Sequence, residues 1–334
     1  MENQTTALYN PNNAKEEPKK YTFDFSYWSH DGFTENDTVC VADPQHFNGS
    51  KYADQERVYS DLGRDMLHNA FEGYNAALFA YGQTGAGKSF TVIGYGANKA
   101  IDRLLECFLL NNSLLFVARL KLNFSVNCVT THAVNHFVPG IVPRFCEDLF
   151  ETIEHLVRSK GGTIVEVHIS MLEIYNEIVR DLLNPESLKE IKKGLKVREH
   201  PTNGFFAENL THFLVTSQKE ILEKIDEGTT NRSIASTNMN ETSSRAHTIV
   251  GITIAQKTRN ANGVETSKMS NVHLVDLAGS ERLSGTFAKG DRLREGVSIN
   301  QSLSCLGNCI HALAEKSNGK NIRGNCTLAT IKCD

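Results

Sequence analysis

Residues 82–89 form the segment of this sequence with the clearest chemistry. The segment is spelled GQTGAGKS and fits the pattern G-x-x-x-x-G-K-[ST], in which a glycine-rich loop wraps a chain of phosphates. Glycine lets the backbone approach the phosphates without a Cβ clash, so successive N–H groups can point at negative charge. Lys88 is then expected to reach the β- and γ-phosphates, and the Ser89 hydroxyl is expected to bind Mg²⁺.

The elements on either side of this loop are those that a phosphate site requires. Residues 76–82, AALFAYG, are a short apolar run ending in glycine, which predicts a buried strand that leads into the loop, and a helix is predicted after it. A glycine-rich turn without a ligand is the alternative, and the order of strand, loop and helix favours the phosphate site. The expected nucleotide-binding residues are Gly82, Gln83, Thr84, Gly85, Ala86, Gly87, Lys88, Ser89 and Phe90.

A phosphate loop alone does not distinguish ATPases, GTPases and kinases. The guanine-recognition signature N-K-x-D is absent, because Asn98-Lys99 is followed by Ala100-Ile101. This favours ATP over GTP.

Two later segments carry further polar residues of the kind found at phosphate sites. Residues 238–247, NMNETSSRAH, place several hydroxyls around one arginine, and residues 276–281, DLAGSE, follow a predicted buried strand. Ligands of α/β sheets bind where strands end, which is where the second segment lies. Taken singly, either segment is equally well explained by helix-capping and turn residues.

The remaining pattern alternates strands and helices, which indicates an α/β layer fold. Strands are predicted at 21–28, 163–177 and 270–279, from apolar or alternating runs. Helices are predicted at 54–72, 217–226 and 298–316, from the spacing of their apolar residues. No internal repeat and no heptad run is present, so nothing predicts a coiled coil.

Composition excludes several classes of function. A net charge of -4 argues against a surface coated with nucleic acid. The apolar stretch 104–124 is interrupted by Glu106, Arg119 and Lys121, so no membrane span is predicted. Eight cysteines without a C-x-x-C pair, behind a polar N-terminus with no secretory signal, predict reduced thiols and a cytoplasmic location.

Together and in this order, the three polar segments resemble the nucleotide-sensing set of kinesin motor domains. FDFSYWSHDGF near the start, LEIYNEIVRDLL (172–183), VREHPTNGFFAENLT (197–211) and EGVSINQSLSCLGNCIHALAE (295–315) also resemble kinesin segments in the expected order. The wording is most similar to the class related to axonal vesicle transporters, over about residues 5–99 and 139–320. The resemblance implies one P-loop NTPase-type domain of three layers, with a central β-sheet and helices on both faces, that hydrolyses ATP and binds microtubules of the cytoskeleton.

The resemblance also implies roles for individual residues. Ser89 and Ser244 would bind Mg²⁺ directly, and Asp276 would hold a metal-bound water. The Gly279 N–H would sense the γ-phosphate. Ser243 would help to position the attacking water.

Two further features of the same site follow from the resemblance. Arg245 and Glu281 would form an ion pair that closes the two segments on each other. Ala246 departs from the family, which usually has serine there. We expect a modest effect of this change, because the hydroxyls and the arginine before it remain.

The microtubule-binding face follows from the same resemblance. The helix predicted at 298–316 would dock at tubulin, preceded by a mobile loop at 282–296. Three basic residues of this region, Lys289, Arg292 and Arg294, would meet the acidic tubulin surface. His200 and Asn209 would flank a second contact loop. Gln301 stands where the family often has lysine, which predicts weak binding.

The sequence departs from the family in three regions. The strand with the R-x-R-P element that opens kinesin motors is not found, residues 100–138 form an atypical insertion, and residues 321–334 replace the expected closing strand, helix and neck linker. Two hypotheses therefore remain: an ATP-hydrolysing motor domain, or a non-motile kinesin remnant that binds microtubules or nucleotide without productive turnover. Cargo, direction and oligomeric state are not predicted.

Overall fold

The structure is a computed structural model that describes ten stretches of the chain: 4–13, 15–35, 40–95, 138–159, 163–186, 194–201, 204–238, 243–259, 265–281 and 291–319. For 95, 236–238, 243, 291–295 and 297 only the backbone is described. The predictions of an insertion at 100–138 and of a non-family tail at 321–334 lie almost wholly outside the described residues and stay predictions.

The helices and strands alternate along the described chain. The helices are α1 (Gln55–Phe71), α2 (Lys88–Val92), α3 (Ile141–Ser159), α4 (Gln218–Asn238) and α5 (Asp291–Ser317), with 3₁₀ turns at Gly49–Lys51 and Ser243–Arg245. The strands are β1 (Thr5–Leu8), β2 (Lys19–Thr22), β3 (Phe33–Glu35), β4 (Cys40–Ala42), β5 (Ala76–Ala80), β6 (Gly94–Tyr95), β7 (Val138–Pro139), β8 (Thr163–Tyr175), β9 (Ile178–Asp181), β10 (Val197–His200), β11 (Gly204–Ala207), β12 (Phe213–Val215), β13 (His247–Arg259) and β14 (Glu265–Asp276).

A six-stranded mixed sheet forms the centre of the molecule. Its strands follow the order β12-β8-β13-β14-β5, with β9 paired to β8, and only the β14–β5 pair is parallel. The long β13–β14 hairpin pairs residue for residue from Thr248↔Asp276 to Arg259↔Glu265. The other described strands form two-stranded sheets.

Helices cover both faces of this sheet, as the sequence predicted. Alternate residues of a strand point to opposite faces, and neighbouring residues of β13 and β14 accordingly enter different cores. Val250 and Leu274 join the main core, to which α1, α3 and α4 contribute, whereas Ile249 and Val275 pack with Leu303 of α5. The sheet therefore separates α5 from the other long helices, and contact between the two sides depends on the sheet and the segments at its edge.

Helix α1 shows how local sequence sets these elements. Its N-cap Asp54 accepts a hydrogen bond of 2.8 Å from the Arg57 N–H, which satisfies a backbone donor at the start of a helix. Val58, Met66 and Leu67 bury its inward face. The predicted range of 54–72 is confirmed to within its two capping residues.

Several predicted elements differ from the structure in their bounds, including the strand predicted at 270–279, which runs from Glu265 to Asp276. Strand β2 ends at Thr22 instead of continuing to Trp28, because the aromatic residues beyond it are held by their own side-chain contacts. Tyr27 stacks with Phe25, is buried and donates a hydrogen bond of 3.0 Å to Asp61. Helix α4 runs on to Asn238 and α5 begins at Asp291. The polar ends of these helices lack the apolar spacing on which the sequence prediction relied.

The prediction of uniformly reduced thiols is wrong at Cys40. Cys40 is disulfide-bonded, whereas Cys146, Cys305 and Cys309 are free. Pairing depends on the distance between two cysteines in space, which sequence spacing does not reveal. Among the described helices, none is long and apolar enough to cross a membrane.

Candidate nucleotide site

The parallel pair β5–β14 places the polar segments at one edge of the sheet. Asp276, the last residue of β14, stands opposite Ala80, the last residue of β5. The glycine-rich loop and the DLAGSE segment therefore leave the sheet side by side. Their backbones continue to pair beyond the strands, with hydrogen bonds of 3.1 Å from Leu277 N to Ala80 O and 3.0 Å from Ser280 N to Gly82 O.

The glycine-rich loop has the backbone conformation of a phosphate cradle. Gly85 and Gly87 have φ angles of 81° and 70°, a left-handed conformation that glycine adopts without a steric penalty. Gly87 is also the N-cap of α2, and Ala86 N donates to Gln83 O at 3.0 Å. The loop therefore turns its backbone toward the start of α2, where anions are favoured.

Lys88 is buried beneath this loop with only 8% of its surface exposed. Its ammonium donates to the carbonyl oxygens of Gly82 and Gln83, both at 3.1 Å. Burial lowers the pKa of Lys88, and the nearby carboxylates of Asp276 and Glu281 oppose that effect. A desolvated cation held by the loop itself can stabilise negative charge bound within the loop.

Ser89 and Asp276 form the part of the site that suits a metal ion. The Ser89 hydroxyl donates to Asp276 Oδ2 at 2.5 Å, and Asp276 is 4% exposed. The other carboxylate oxygen, Oδ1, is buried and has no hydrogen-bond partner, which is costly unless a ligand satisfies it. Hydroxyl and carboxylate oxygens are the ligands that Mg²⁺ takes, together with water and phosphate, so these residues fit the ion that the sequence predicted.

Glu281 fastens the DLAGSE segment to the glycine-rich loop. Thr84 donates to its carboxylate twice, from the backbone N–H at 2.9 Å and from the hydroxyl at 2.6 Å. Burial raises the pKa of Glu281, but the two Thr84 donors and Lys88 more than offset this, so that its pKa lies below the ordinary value. The resemblance implied a different partner, Arg245, and that ion pair stays a prediction.

Gly279 joins the two later polar segments to each other. Its N–H donates to Ser244 O at 2.8 Å, and a Cβ at this residue would collide with the Glu281 carboxylate and the Thr84 hydroxyl. A larger residue would therefore have to push these two side chains out of the arrangement that joins the loop to the DLAGSE segment. The structure thus brings three distant stretches of the chain, around residues 84, 244 and 279, into direct contact.

The remaining predicted residues lie around this centre. Ser243 and Arg245 belong to the 3₁₀ turn that carries Ser244; the Ser243 side chain lies outside the described part. Phe90 contributes its carbonyl oxygen, which accepts a hydrogen bond of 2.8 Å from Gln55 of α1. Among the described residues there is no group of three or more histidine, cysteine, aspartate or glutamate side chains that could hold a metal ion, so Mg²⁺ would depend on water and phosphate for its other ligands.

Sequence reasoning missed a buried ionic chain behind Asp276. Arg232 of α4 lies 3.9 Å from Asp276 Oδ2 and 3.4 Å from Glu173 Oε1, and Arg180 lies 3.6 Å from Glu173 Oε2. The four side chains are between 5% and 11% exposed. The available signal was spacing: Arg232 follows Ile225 by seven residues on α4, and residues seven apart share a helix face.

Comparison with known proteins decides the family. The kinesin motor domain family model matches residues 1–324. The chain belongs to the kinesin motor domain family. It is 42% identical over 322 residues to the kinesin-like protein KIF1A of Rattus norvegicus, covering 96% of this chain and 16% of that protein. It is also 42% identical to KIF1B of Homo sapiens, over 95% of this chain and 14% of that protein.

Solved kinesin structures agree with the fold. A structure titled KIF14[391-755], with ADP and in complex with a microtubule, matches with a TM-score of 0.69 and 33% identity, covering 96% of this chain and 74% of that chain. A structure of a KIF14[391-772] dimer with AMP-PNP, in complex with a microtubule, matches with a TM-score of 0.66 and 34% identity. The predicted kinesin fold is confirmed, while this chain spans only about a sixth of the length of the curated relatives it matches.

The structure describes only some of the residues that are predicted to face tubulin. Lys289 lies outside the described residues, and Arg292 and Arg294 lie in the first turn of α5 with their backbone alone described. His200 ends β10, and Asn209 follows β11 with a φ of 64°. Farther along α5, Ile310 and Leu313 are 48% and 67% exposed, which leaves an apolar strip on the helix that the resemblance assigned to tubulin.

Proposed function

We propose that this chain is an ATP-hydrolysing, microtubule-binding motor domain that works with Mg²⁺ in microtubule-based movement. The observation that carries the proposal is the connection of three segments at one edge of the sheet. Glu281 binds the glycine-rich loop at Thr84, and Gly279 binds Ser244. A site built this way can respond to a phosphate, because each segment contributes backbone or side-chain groups that meet at one place.

The side chains of the site divide the work of phosphoryl transfer. The loop N–H groups and Lys88 hold the phosphates and offset their charge, which is the main requirement of this reaction. In this proposal Ser89 and Ser244 would bind Mg²⁺ directly, and Asp276 would hold a water of the ion. The ion would supply positive charge that offsets the charge developing on the phosphates.

The two later polar segments sense the γ-phosphate and position the attacking water in this proposal. The Gly279 N–H, now donated to Ser244 O at 2.8 Å, is the donor that we assign to the γ-phosphate. Ser243 helps to place the attacking water. Positioning of this kind contributes to rate because it removes the entropic cost of bringing the reactants together.

The partner proposed for the outer face of α5 is the microtubule. Both KIF14 structures that resemble this chain are titled as complexes with a microtubule. Basic residues at the start of α5 would meet an acidic surface, so binding should weaken as salt increases. The proposed location is the cytoplasm, on microtubules.

The competing hypothesis is a remnant that no longer turns over nucleotide. The intact arrangement of Lys88, Ser89, Asp276 and Gly279 favours the motor, because each of these groups has a partner consistent with its proposed role. Glu281 adds a connection of its own to the glycine-rich loop through Thr84. The match to the family over residues 1–324 favours it as well.

Steady-state ATP hydrolysis with and without polymerised microtubules tests the proposal. Purified chain should hydrolyse ATP faster when microtubules are added, and Lys88→Ala should abolish both rates because it removes the buried cation of the loop. Lys257→Ala, which alters an exposed lysine of β13, is the matched control and should behave as the wild type. Folded protein that microtubules do not stimulate would refute the motor and leave the remnant.

A further inference from the structure

An imidazole connects the nucleotide site to α5. His247, the first residue of β13, accepts a hydrogen bond of 3.0 Å from Ala278 N–H at its Nδ1 atom. Its other nitrogen, Nε2, lies 3.1 Å from the hydroxyl oxygen of Ser302 on α5. The Ser302 hydroxyl itself donates to Ile299 O at 2.8 Å. A continuous line of hydrogen bonds therefore runs from the DLAGSE segment, through one buried side chain, into the helix.

The direction of every bond in this line is fixed. Since the Ser302 hydroxyl uses its hydrogen on Ile299 O, its oxygen must accept from the imidazole, and Nε2 must carry the hydrogen. Nδ1 must then be bare in order to accept from Ala278. The pKa of His247 is lowered to about 4, mainly by burial; Asp276 opposes this effect, and Arg232 and Lys88 add to it. The neutral tautomer that the line requires is thus the one that its surroundings favour.

His247 lies where both sensing segments can act on it. It follows Ser244 by three residues, and it binds the residue immediately before Gly279, whose N–H is held by Ser244 O. The peptide that carries the Gly279 N–H and the peptide that carries the Ala278 N–H are consecutive planar units that share the Cα of Ala278. The imidazole is therefore attached to the peptide next to the one that the proposed sensing step moves.

The other contacts of α5 with the sheet are less able to report such a movement. Leu303 packs against Val275 and Leu277, and apolar contacts have no directional requirement. Ser298 donates to Glu177 at 3.0 Å, but Glu177 lies in the turn between β8 and β9 and has no described bond to the sensing segments. A hydrogen bond, in contrast, weakens steeply when its angle changes.

We propose that the His247–Ser302 hydrogen bond is a positioning contact through which the nucleotide site sets the affinity of α5 for microtubules. The inference rests on the proposed function, and it assigns to His247 and Ser302 a part in coupling and none in the chemistry of hydrolysis. Neither residue binds a phosphate or metal in this account.

Two serines of α5 provide a matched test. Ser302→Ala removes the bond to His247, whereas Ser304→Ala removes a hydroxyl of the same helix that only donates to Asn300 O at 2.7 Å and is exposed. For each protein, co-sedimentation measures the Kd for microtubules with ADP and with AMP-PNP. The ratio of the two Kd values reports coupling without requiring turnover.

Loss of one neutral hydrogen bond should reduce the Kd ratio about fivefold in Ser302→Ala. Ser304→Ala should retain the wild-type ratio, and ATP hydrolysis without microtubules should be unchanged in both. His247→Asn, whose shorter side chain can still accept from Ala278 but does not reach Ser302, should reduce the ratio as Ser302→Ala does.

The possible results separate a failure of the coupling contact from a failure of the proposed function. A wild-type ratio well above one together with equal ratios for Ser302→Ala and Ser304→Ala would overturn the coupling contact and leave the proposed function intact. A wild-type chain that does not bind microtubules in either nucleotide state would overturn the proposed function and this inference with it.

Discussion

Acidic and basic side chains form ion pairs at both ends of the β13–β14 hairpin, buried at one end and exposed to water at the other. At one end, Asp276 and its neighbours Arg232 and Glu173 are no more than 11% exposed. At the other end, Lys257 of β13 pairs with Glu166 at 3.6 Å, and their side chains are 59% and 42% exposed. Both ends therefore hold ion pairs of similar length, and they differ in how much water surrounds them.

That difference determines what each end can do. Exposed ion pairs are screened by water and contribute little, whereas a charge that has been removed from water depends on its partner. The buried end consequently holds its carboxylates and cations in one arrangement, which a nucleotide site requires. The exposed end has no such constraint, so its polar residues can be exchanged without consequence for the site.

Replacing one basic residue at each end of the hairpin should give the largest difference in stability between the two ends. Arg232→Met leaves Asp276 and Glu173 with an uncompensated part of their charge, which should lower the free energy of unfolding by about 3 kcal/mol. Lys257→Met should change it by less than about 1 kcal/mol. Urea-induced unfolding of the two variants beside the wild type measures both changes.

Similar decreases in the free energy of unfolding of the two variants would contradict this contrast, since burial would then not determine how much an ion pair stabilises the protein. The same data contain a check on folding, because a cooperative transition with an unchanged slope in urea shows that each variant unfolds from a comparable native state.

Replacing one carboxylate at each end should give the next largest effect. Asp276→Asn removes the charge next to Ser89, and weakened support of a metal typically costs about 10–100-fold in metal affinity or activity. The concentration of Mg²⁺ that half-saturates nucleotide binding should rise accordingly, as measured with a fluorescent ADP analogue. Glu265→Gln, a change of the same kind at the exposed start of β14, should leave it unaltered.

An unchanged Mg²⁺ requirement in Asp276→Asn would show that the orphaned Oδ1 atom does not serve the ion. A raised requirement in both variants would instead point to a general loss of negative charge, without any role for the geometry around Ser89.

The parts of the fold that were predicted correctly are those with a local signal. The glycine-rich loop, β5, β8 and α1 have apolar patterns and turn residues that specify them within a few positions. The strand predicted at 21–28 ends early because aromatic residues held by their own side-chain contacts, such as Tyr27, imitate the alternation of a strand. The resemblance to kinesins supplied the order of the segments, which propensity alone could not.

The connections between segments could not be predicted in the same way. Nothing in the sequence indicates that Thr84 would hold Glu281 or that Arg232 would reach Asp276, since these pairs are separated by up to 197 residues. Such contacts arise from the register of β14 against β5, which brings Asp276 opposite Ala80. The candidate residues of the site could therefore be named from the sequence, whereas the contacts between them required the fold.

Two glycines provide the most direct measurement of the central claim, that the three segments must meet at Gly279. A Cβ at Gly279 would collide with Glu281 and Thr84, whereas a Cβ at Gly307 of α5 would meet nothing within 4 Å. Microtubule-stimulated ATP hydrolysis should fall about 100-fold in Gly279→Ala while ADP still binds. The added Cβ would push Glu281 and Thr84 away from each other and shift the Gly279 N–H, which has an effect on the scale of losing one positioned donor. Gly307→Ala should hydrolyse ATP at the wild-type rate. Equal rates in Gly279→Ala and the wild type would contradict the account.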